Sequence, residues 1–246
     1  MHTIVLATQK GGAGKSTLAI NLARAAIDAG HNVRLVETDQ QGTLSSWKAR
    51  RGNAEPRVDR VYAAGDIAQR LDRLAAEGVT FAIVDTAGGV GIATSTAIGY
   101  ADLCLIPSRP NVADIEATAV TLAEVRRTGT PFAFVLNQTP IRGQRIAGAA
   151  GVLGYSALDV PDVVAQPFIV MRNDYQDALS AGLAVGEYAP SGKSAEEIRS
   201  LWAWIENRLG IAIENAAAEL VPEDLSGLPV APMPPVQPSA EALHFA

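Results

Sequence analysis

The chain has one cysteine, few aromatic residues, no long apolar run and no excess of basic charge. Its lone thiol, Cys104, cannot close a disulfide within the chain or build a cysteine-ligated metal site. Its setting, Leu103-Cys104-Leu105-Ile106, suits a small buried hydrophobe. No apolar stretch approaches the roughly 18 residues of a membrane span. Met1-His2-Thr3 enters an apolar segment directly, without a signal-peptide layout, so a cytoplasmic chain is expected. The 20 Lys and Arg residues stand against 26 Asp and Glu, a formal charge of −6, and any surface for a polyanion must therefore be local. What is present, 48% hydrophobic residues in a chain of 246, is enough for one large domain around a sizeable core.

Short apolar runs alternate with longer segments of helical periodicity, which predicts βα units and a doubly wound, mostly parallel α/β sheet flanked by helices. Strands are expected near Thr3–Ala7, Asn32–Glu37, Arg57–Tyr62, Thr80–Val84, Leu103–Pro107 and Phe132–Asn137. Several are apolar nearly throughout, as strands covered on both faces are. Helices are expected over Lys15–Ala29, Ser45–Arg50, Ile67–Ala76, Val112–Arg127, Asp174–Ala181 and Ala195–Leu209, with Gly30, Gly78 and Gly129 at C-terminal stops. The domain is expected to occupy residues 1–218. Residues 219–246, with Pro222, Pro229, Pro232, Pro234, Pro235 and Pro238 among small and acidic residues, have the composition of a disordered tail.

Between the first strand and its helix lies Lys10-Gly11-Gly12-Ala13-Gly14-Lys15-Ser16-Thr17. Closely spaced glycines let consecutive backbone N–H groups curl around phosphate oxygens, and the following helix presents its N-terminus to the anion. Lys15 is placed for the β/γ-phosphates and Ser16 for Mg²⁺. The ligand is expected to be a nucleoside triphosphate. Where the usual phosphate loop has its first glycine the chain has Gln9, followed by a second lysine, Lys10.

Two strand ends supply carboxylates. Leu35-Val36-Glu37-Thr38-Asp39-Gln40-Gln41-Gly42 places Asp39 at the carboxyl end of a strand expected to adjoin the phosphate loop, where a doubly wound sheet binds its ligand. There Asp39 can hold Mg²⁺ through water or orient the water that attacks the γ-phosphate. Phe81-Ala82-Ile83-Val84-Asp85-Thr86-Ala87-Gly88-Gly89 reads as an apolar strand ending in a metal-shell aspartate, followed by a loop able to sense the γ-phosphate.

The order Lys10–Thr17, Asn21, Asp39-Gln40-Gln41, Trp47, Asp85-Thr86-Ala87-Gly88 and Asp102–Pro107 resembles the ParA/MinD-type deviant Walker A ATPases. It is most similar to the short, ParF-like plasmid partition ATPases. The likeness runs over residues 3–210 and includes Thr94-Ser95, Arg172, Gly182 and Val185. It implies ATP and Mg²⁺ as cofactors, a homodimer around two nucleotides, coating of nonspecific DNA on the nucleoid, and slow hydrolysis stimulated by a ParB- or ParG-type adaptor. By position, Lys10 would touch the opposite subunit's phosphates, Lys15 the β/γ-phosphates, Ser16 the metal, and Asp39 the attacking water. Asp85 would complete the metal's outer shell and Asn137 would lie near the base. The chain departs from the family's usual Asp-x-Asp-Pro-Gln at Glu37 and Gln40, and it has Thr86-Ala87 where many relatives carry a proline pair.

For DNA the resemblance raises Arg142, Arg145, Arg172, Lys193, Arg199 and Arg208. In the last helix Ile198, Leu201, Trp202, Ile205 and Leu209 recur at helical spacing and are expected to pack on the sheet. The acidic, proline-rich segment beyond it argues against the basic amphipathic membrane anchor of MinD-like proteins. No long extension precedes the loop, so a sequence-specific helix-turn-helix is not expected. A nitrogenase-reductase-like protein is excluded by the cysteine count. A dethiobiotin-synthetase-like enzyme and a ParA-type positioner of a protein cargo both stay compatible with the loop.

Overall fold

The computed structural model describes residues 1–52 and 54–211. The boundary expected at 218 and the proline-rich stretch 219–246 lie outside the described residues. Six parallel strands form one sheet: β1 (His2–Leu6), β2 (Val33–Glu37), β3 (Arg57–Arg60), β4 (Phe81–Asp85), β5 (Leu103–Ser108) and β6 (Phe132–Leu136), in the order β3-β2-β4-β1-β5-β6. Strand side chains alternate between faces, so adjacent residues serve different cores. Ile4, Leu6, Leu35 and Ile83 join one cluster, and Val5, Val36, Val84 and Cys104 join the other. The buried Cys104 is the small hydrophobe its sequence setting suggests, with burial pushing its thiol up to about 12.

The first cluster is covered by α1 (Lys15–Asp28), α2 (Thr43–Arg51), α7 (Asn173–Ser180), the short α8 (Val185–Tyr188) and α9 (Lys193–Arg208); the second by α3 (Ala64–Ala76), α4 (Ile92–Gly99), α5 (Val112–Thr128) and α6 (Gln144–Tyr155). The expected packing of α9 holds, with Ile198, Leu201, Trp202 and Ile205 buried. Three helices go beyond the sequence expectation. Ile92–Gly99 has almost no polar face, and Gln144–Tyr155 carries three glycines and little amphipathic contrast, so neither shows a clear helical period. Val185–Tyr188 is a single turn.

Strand order could not be read from alternation alone. β2 pairs with β4 and β3, not with β1, so Asp39 reaches the phosphate loop from two strands away rather than from a neighbouring strand.

Several residues that carried the family likeness meet at one joint. Asn21 donates through Nδ2 to the Thr17 carbonyl (2.7 Å) and accepts from the Val185 N–H (2.8 Å). The Trp47 indole donates to the Leu183 carbonyl (3.2 Å), and Arg51 grips Glu187 through two bonds of 2.7 and 2.6 Å. Gly182 lies within this joint at φ +72°, where an added Cβ would stand 2.8 Å from the Arg50 carbonyl carbon and the Arg51 nitrogen. Gly182→Ala is expected to lower the urea midpoint without changing the transition slope. The loss combines about 1–2 kcal/mol for left-handed backbone with about 1–3 kcal/mol for the forced contact. Gly30→Ala, at φ +92° with open space around it, should lose only the first part.

Candidate functional site

The loop after β1 is braced from the far side of the sheet. Asn137, just past β6, donates through Nδ2 to the Ala13 carbonyl (2.8 Å), and Gln138 donates through Nε2 to the Gly12 carbonyl (2.9 Å). Gly14, at φ +91°, forms the N-cap of α1, and a Cβ there would lie 2.3 Å from Asn137 Nδ2. Only glycine allows the loop and strand to approach this closely. No side chain caps α1, so its first N–H groups stay available to an anion.

Gly11, Gly12, Lys15, Ser16, Thr17, Asp39, Gln41, Thr43 and Gly88 line a cleft of about 490 Å³ above this loop. Lys15 is buried, and desolvation lowers its pKa, a shift opposed by the charges of Asp85 and Asp39. Asp85, at the end of β4, is fully buried, and neither carboxylate oxygen has a hydrogen-bond partner of ordinary geometry among the described residues. Burial pushes its pKa up to about 7, although the nearby Ser16 hydroxyl and Lys15 ammonium favour the charged form. A second cavity of about 150 Å³, lined by Thr17, Asn137, Gln138, Met171, Arg172 and Tyr175, opens on the other side of Gly14.

The unsatisfied oxygens of Asp85, beside the Ser16 hydroxyl and with Asp39 on the same cleft, suit a hard divalent cation. Among the described residues no three or more His, Cys, Asp or Glu side chains form a cage of their own. The remaining ligands of such a cation would be phosphate oxygens and water, as is usual for Mg²⁺.

Asp39 accepts from the Gln41 N–H (2.9 Å) through Oδ1, an Asx turn that holds it on the cleft wall. It does not cap the following helix. Glu37 does so instead: fully buried, it accepts from the N–H groups of Leu44 (2.7 Å) and Ser45 (3.1 Å) and from the Ser45 hydroxyl. The sequence signal was available in a glycine at the N-cap, Gly42, with no side chain of its own and a carboxylate upstream. Gln138 and Thr43 are further lining residues that the motifs did not name.

Lys15, Ser16, Thr17, Asp39 and Asp85 are thus gathered at one site, with Asn137 behind the loop. Lys10 is not: it stands exposed at the loop tip with no hydrogen bond or ion pair among the described residues. The basic candidates do not form one patch. Arg142 and Arg145 flank the start of α6, whereas Lys193 and Arg199 lie on α9 in the opposite layer. Arg172 is held by Glu197, Lys193 pairs with Glu196, and Arg199 and Arg208 donate to the carbonyls of Pro190 and Pro161.

A phosphate loop, a buried lysine and a strand-end aspartate on a doubly wound parallel sheet define a P-loop nucleotide-binding protein. Residues 4–179 match the CobQ/CobB/MinD/ParA nucleotide-binding domain. The chain belongs to this family, as a ParA/MinD-type ATPase. It is 27% identical over 231 residues to Protein ParA of Rhizobium radiobacter, covering 89% of this chain and 94% of that one. It is 30% identical over 203 residues to the maintenance of carboxysome distribution protein A of Halothiobacillus neapolitanus, covering 79% and 91%. Among solved structures, the fold is similar to the Mg-ADP complex of MinD from Pyrococcus horikoshii (TM-score 0.69, 17% identity, 85% of this chain and 98% of that one). An ATP complex of a Cyanothece McdA variant aligns at TM-score 0.70 with 18% identity, covering 86% and 97%.

Because folding raises the pKa of Asp85, the folded chain keeps a proton that the unfolded chain has lost. The stability this group supports is fully present below its ordinary value of 3.8 and falls as pH rises to about 7. In nucleotide-free protein, Asp85→Asn is expected to remove that fall and to raise stability at pH 8 by up to about 4 kcal/mol, measured by denaturant titration across a pH series. The same variant should weaken Mg²⁺-dependent nucleotide binding.

Proposed function

We propose that the chain is a dimerising ATPase that binds ATP with Mg²⁺, associates with nonspecific DNA as the dimer and hydrolyses ATP slowly until a partner accelerates it, thereby segregating plasmid or chromosomal DNA. The observation that carries this reading is the contrast between its two loop lysines. Lys15 is buried in its own cleft within the field of Asp85, whereas Lys10 projects from the loop tip with no hydrogen bond or ion pair among the described residues. A lysine so placed suits the phosphates of a facing subunit, so that nucleotide would join two chains.

Within the cleft, the loop N–H groups and Lys15 would hold the β/γ-phosphates, and Ser16 and Asp85, with Asp39 nearby, would hold Mg²⁺. The cation when bound supplies charge neutralisation at the phosphates. Asp39, fixed by its turn, would orient the attacking water, and Glu37 keeps that turn in place by anchoring the start of α2. Asn137 would sit near the base, next to the smaller cavity. DNA affinity would come from local cations such as Arg142, Arg145, Arg172, Lys193 and Arg199, doubled in a dimer and so tied to ATP. A small ParB- or ParG-type adaptor is the expected partner, and the chain would work in the cytoplasm on the nucleoid. No helix among the described residues is long and apolar enough to cross a membrane.

Likeness to the carboxysome distribution protein favours a second reading, in which the same cycle positions a protein cargo instead of DNA.

Light scattering and duplex binding in ADP, in ATP and in ATP with Lys10→Ala test the proposal. ATP alone should drive both dimerisation and salt-sensitive DNA binding, and Lys10→Ala should lose both. A protein that stays off DNA in every state would contradict the proposal and favour a metabolic P-loop enzyme of the dethiobiotin-synthetase type.

A further inference from the structure

Positive charge in this acidic chain is unevenly distributed. Seven of its 20 Lys and Arg residues fall between positions 48 and 73, against four carboxylates, Glu55, Asp59, Asp66 and Asp72. Some of those cations are occupied elsewhere, as Arg51 is on Glu187. Three others meet at the free edge of the sheet, where the end of β3 and one side of α3, from its first turn to its last, border an open groove of about 540 Å³ lined by Arg60, Tyr62, Arg70 and Arg73.

We infer that this groove is a docking surface for the phosphate backbone of duplex DNA, an inference that rests on the DNA-binding reading above but places the contact on residues outside the candidates raised there. Arg73 is exposed, and its side chain has no hydrogen bond or ion pair among the described residues. Arg60 is also exposed and lies within ion-pair reach of no described carboxylate. Its Nε donates to the Ser45 hydroxyl (2.6 Å), which orients the guanidinium while leaving its terminal nitrogens for an outside acceptor. Arg70, one turn from Arg73, is shared between Asp59 (2.8 Å) and Glu77 (3.7 Å). Tyr62 is 40% exposed on the rim, and α3 begins without a side-chain cap, leaving N–H groups that also favour an anion. Asp66, on the same groove, opposes it.

The groove shares a structural element with the nucleotide cleft. Arg60 is level with Glu37 at the carboxyl ends of paired strands. The Ser45 hydroxyl that accepts from Arg60 donates to Glu37, and Thr43, two residues earlier on α2, lines the cleft. A movement of the first turn of α2 on nucleotide binding would therefore reposition Arg60.

Anisotropy of a labelled duplex of arbitrary sequence, with full-length protein, ATP and Mg²⁺ over a salt series, tests the assignment through two variants of opposite sign. Arg73→Glu should weaken binding about tenfold or more at low salt and make the slope of log K against log salt shallower by about one. Asp66→Asn should tighten binding severalfold. Neither should change basal ATPase activity or oligomeric state. Wild-type binding with both variants unchanged in affinity and slope would overturn the groove and leave the DNA-binding reading intact. Wild type that binds no duplex in any nucleotide state would overturn both.

Discussion

The site depends on a carboxylate kept out of water with no hydrogen-bond partner of ordinary geometry among the described residues. Asp85 ends a strand buried on both faces, and the sheet that makes β4 rigid also removes its last side chain from solvent. A buried carboxylate in that position resists ionisation until positive charge arrives. Lys15 supplies some, although its own burial weakens it as a cation. The protein groups alone leave the cleft electrostatically incomplete, and a cation with an anionic phosphate chain is the kind of ligand that completes it. Stability of the nucleotide-free chain is exchanged here for affinity toward one class of ligand, as expected where strain and poor solvation gather at a functional centre.

Around that centre the loop is held by contacts from distant parts of the chain. Asn137 and Gln138 brace the glycines from beyond β6, while Asn21 ties the first helix to the start of α8. Trp47 fastens α2 to the turn just before α8 and Arg51 fastens it to α8 itself. The start of α2 is pinned in turn by Glu37, the residue that departs from the family's usual aspartate. The longer side chain reaches two backbone N–H groups and a hydroxyl, so the substitution retains a carboxylate anchor for the turn that carries Asp39. The sheet sets where each strand end lies, and these local bonds set which side chains face the cleft.

Much of this architecture was legible in the sequence because its elements announce themselves locally. All six expected strand segments formed strands, five of them carried by apolar runs, and the Lys10–Thr17 loop needed only its flanking strand and helix to be recognised. Residues scattered along the likeness, Asn21, Trp47, Gly182 and Val185, had no evident reason to belong together until the fold joined them. What escaped was non-local or lacked contrast. The place of β2 beside β4 is a pairing choice that alternation does not encode. The helices at Ile92–Gly99 and Gln144–Tyr155 are too uniform in polarity, or too rich in glycine, to show a period. Arg60, Arg70 and Arg73 belong to a strand and a helix in the sequence, and only their meeting at the sheet edge makes them a surface.

The central claim, that Asp85 stays partly protonated until a magnesium nucleotide binds, has a direct thermodynamic signature. With its pKa pushed up to about 7, the carboxyl is partly protonated in nucleotide-free protein at pH 7 and would give up that proton on holding the proposed cation. Isothermal calorimetry of preformed Mg-ATP binding at pH 7, repeated in buffers of different ionisation enthalpy, counts the protons released. The account predicts about half a proton more from the wild type than from Asp85→Asn; equal release from the two proteins would contradict it.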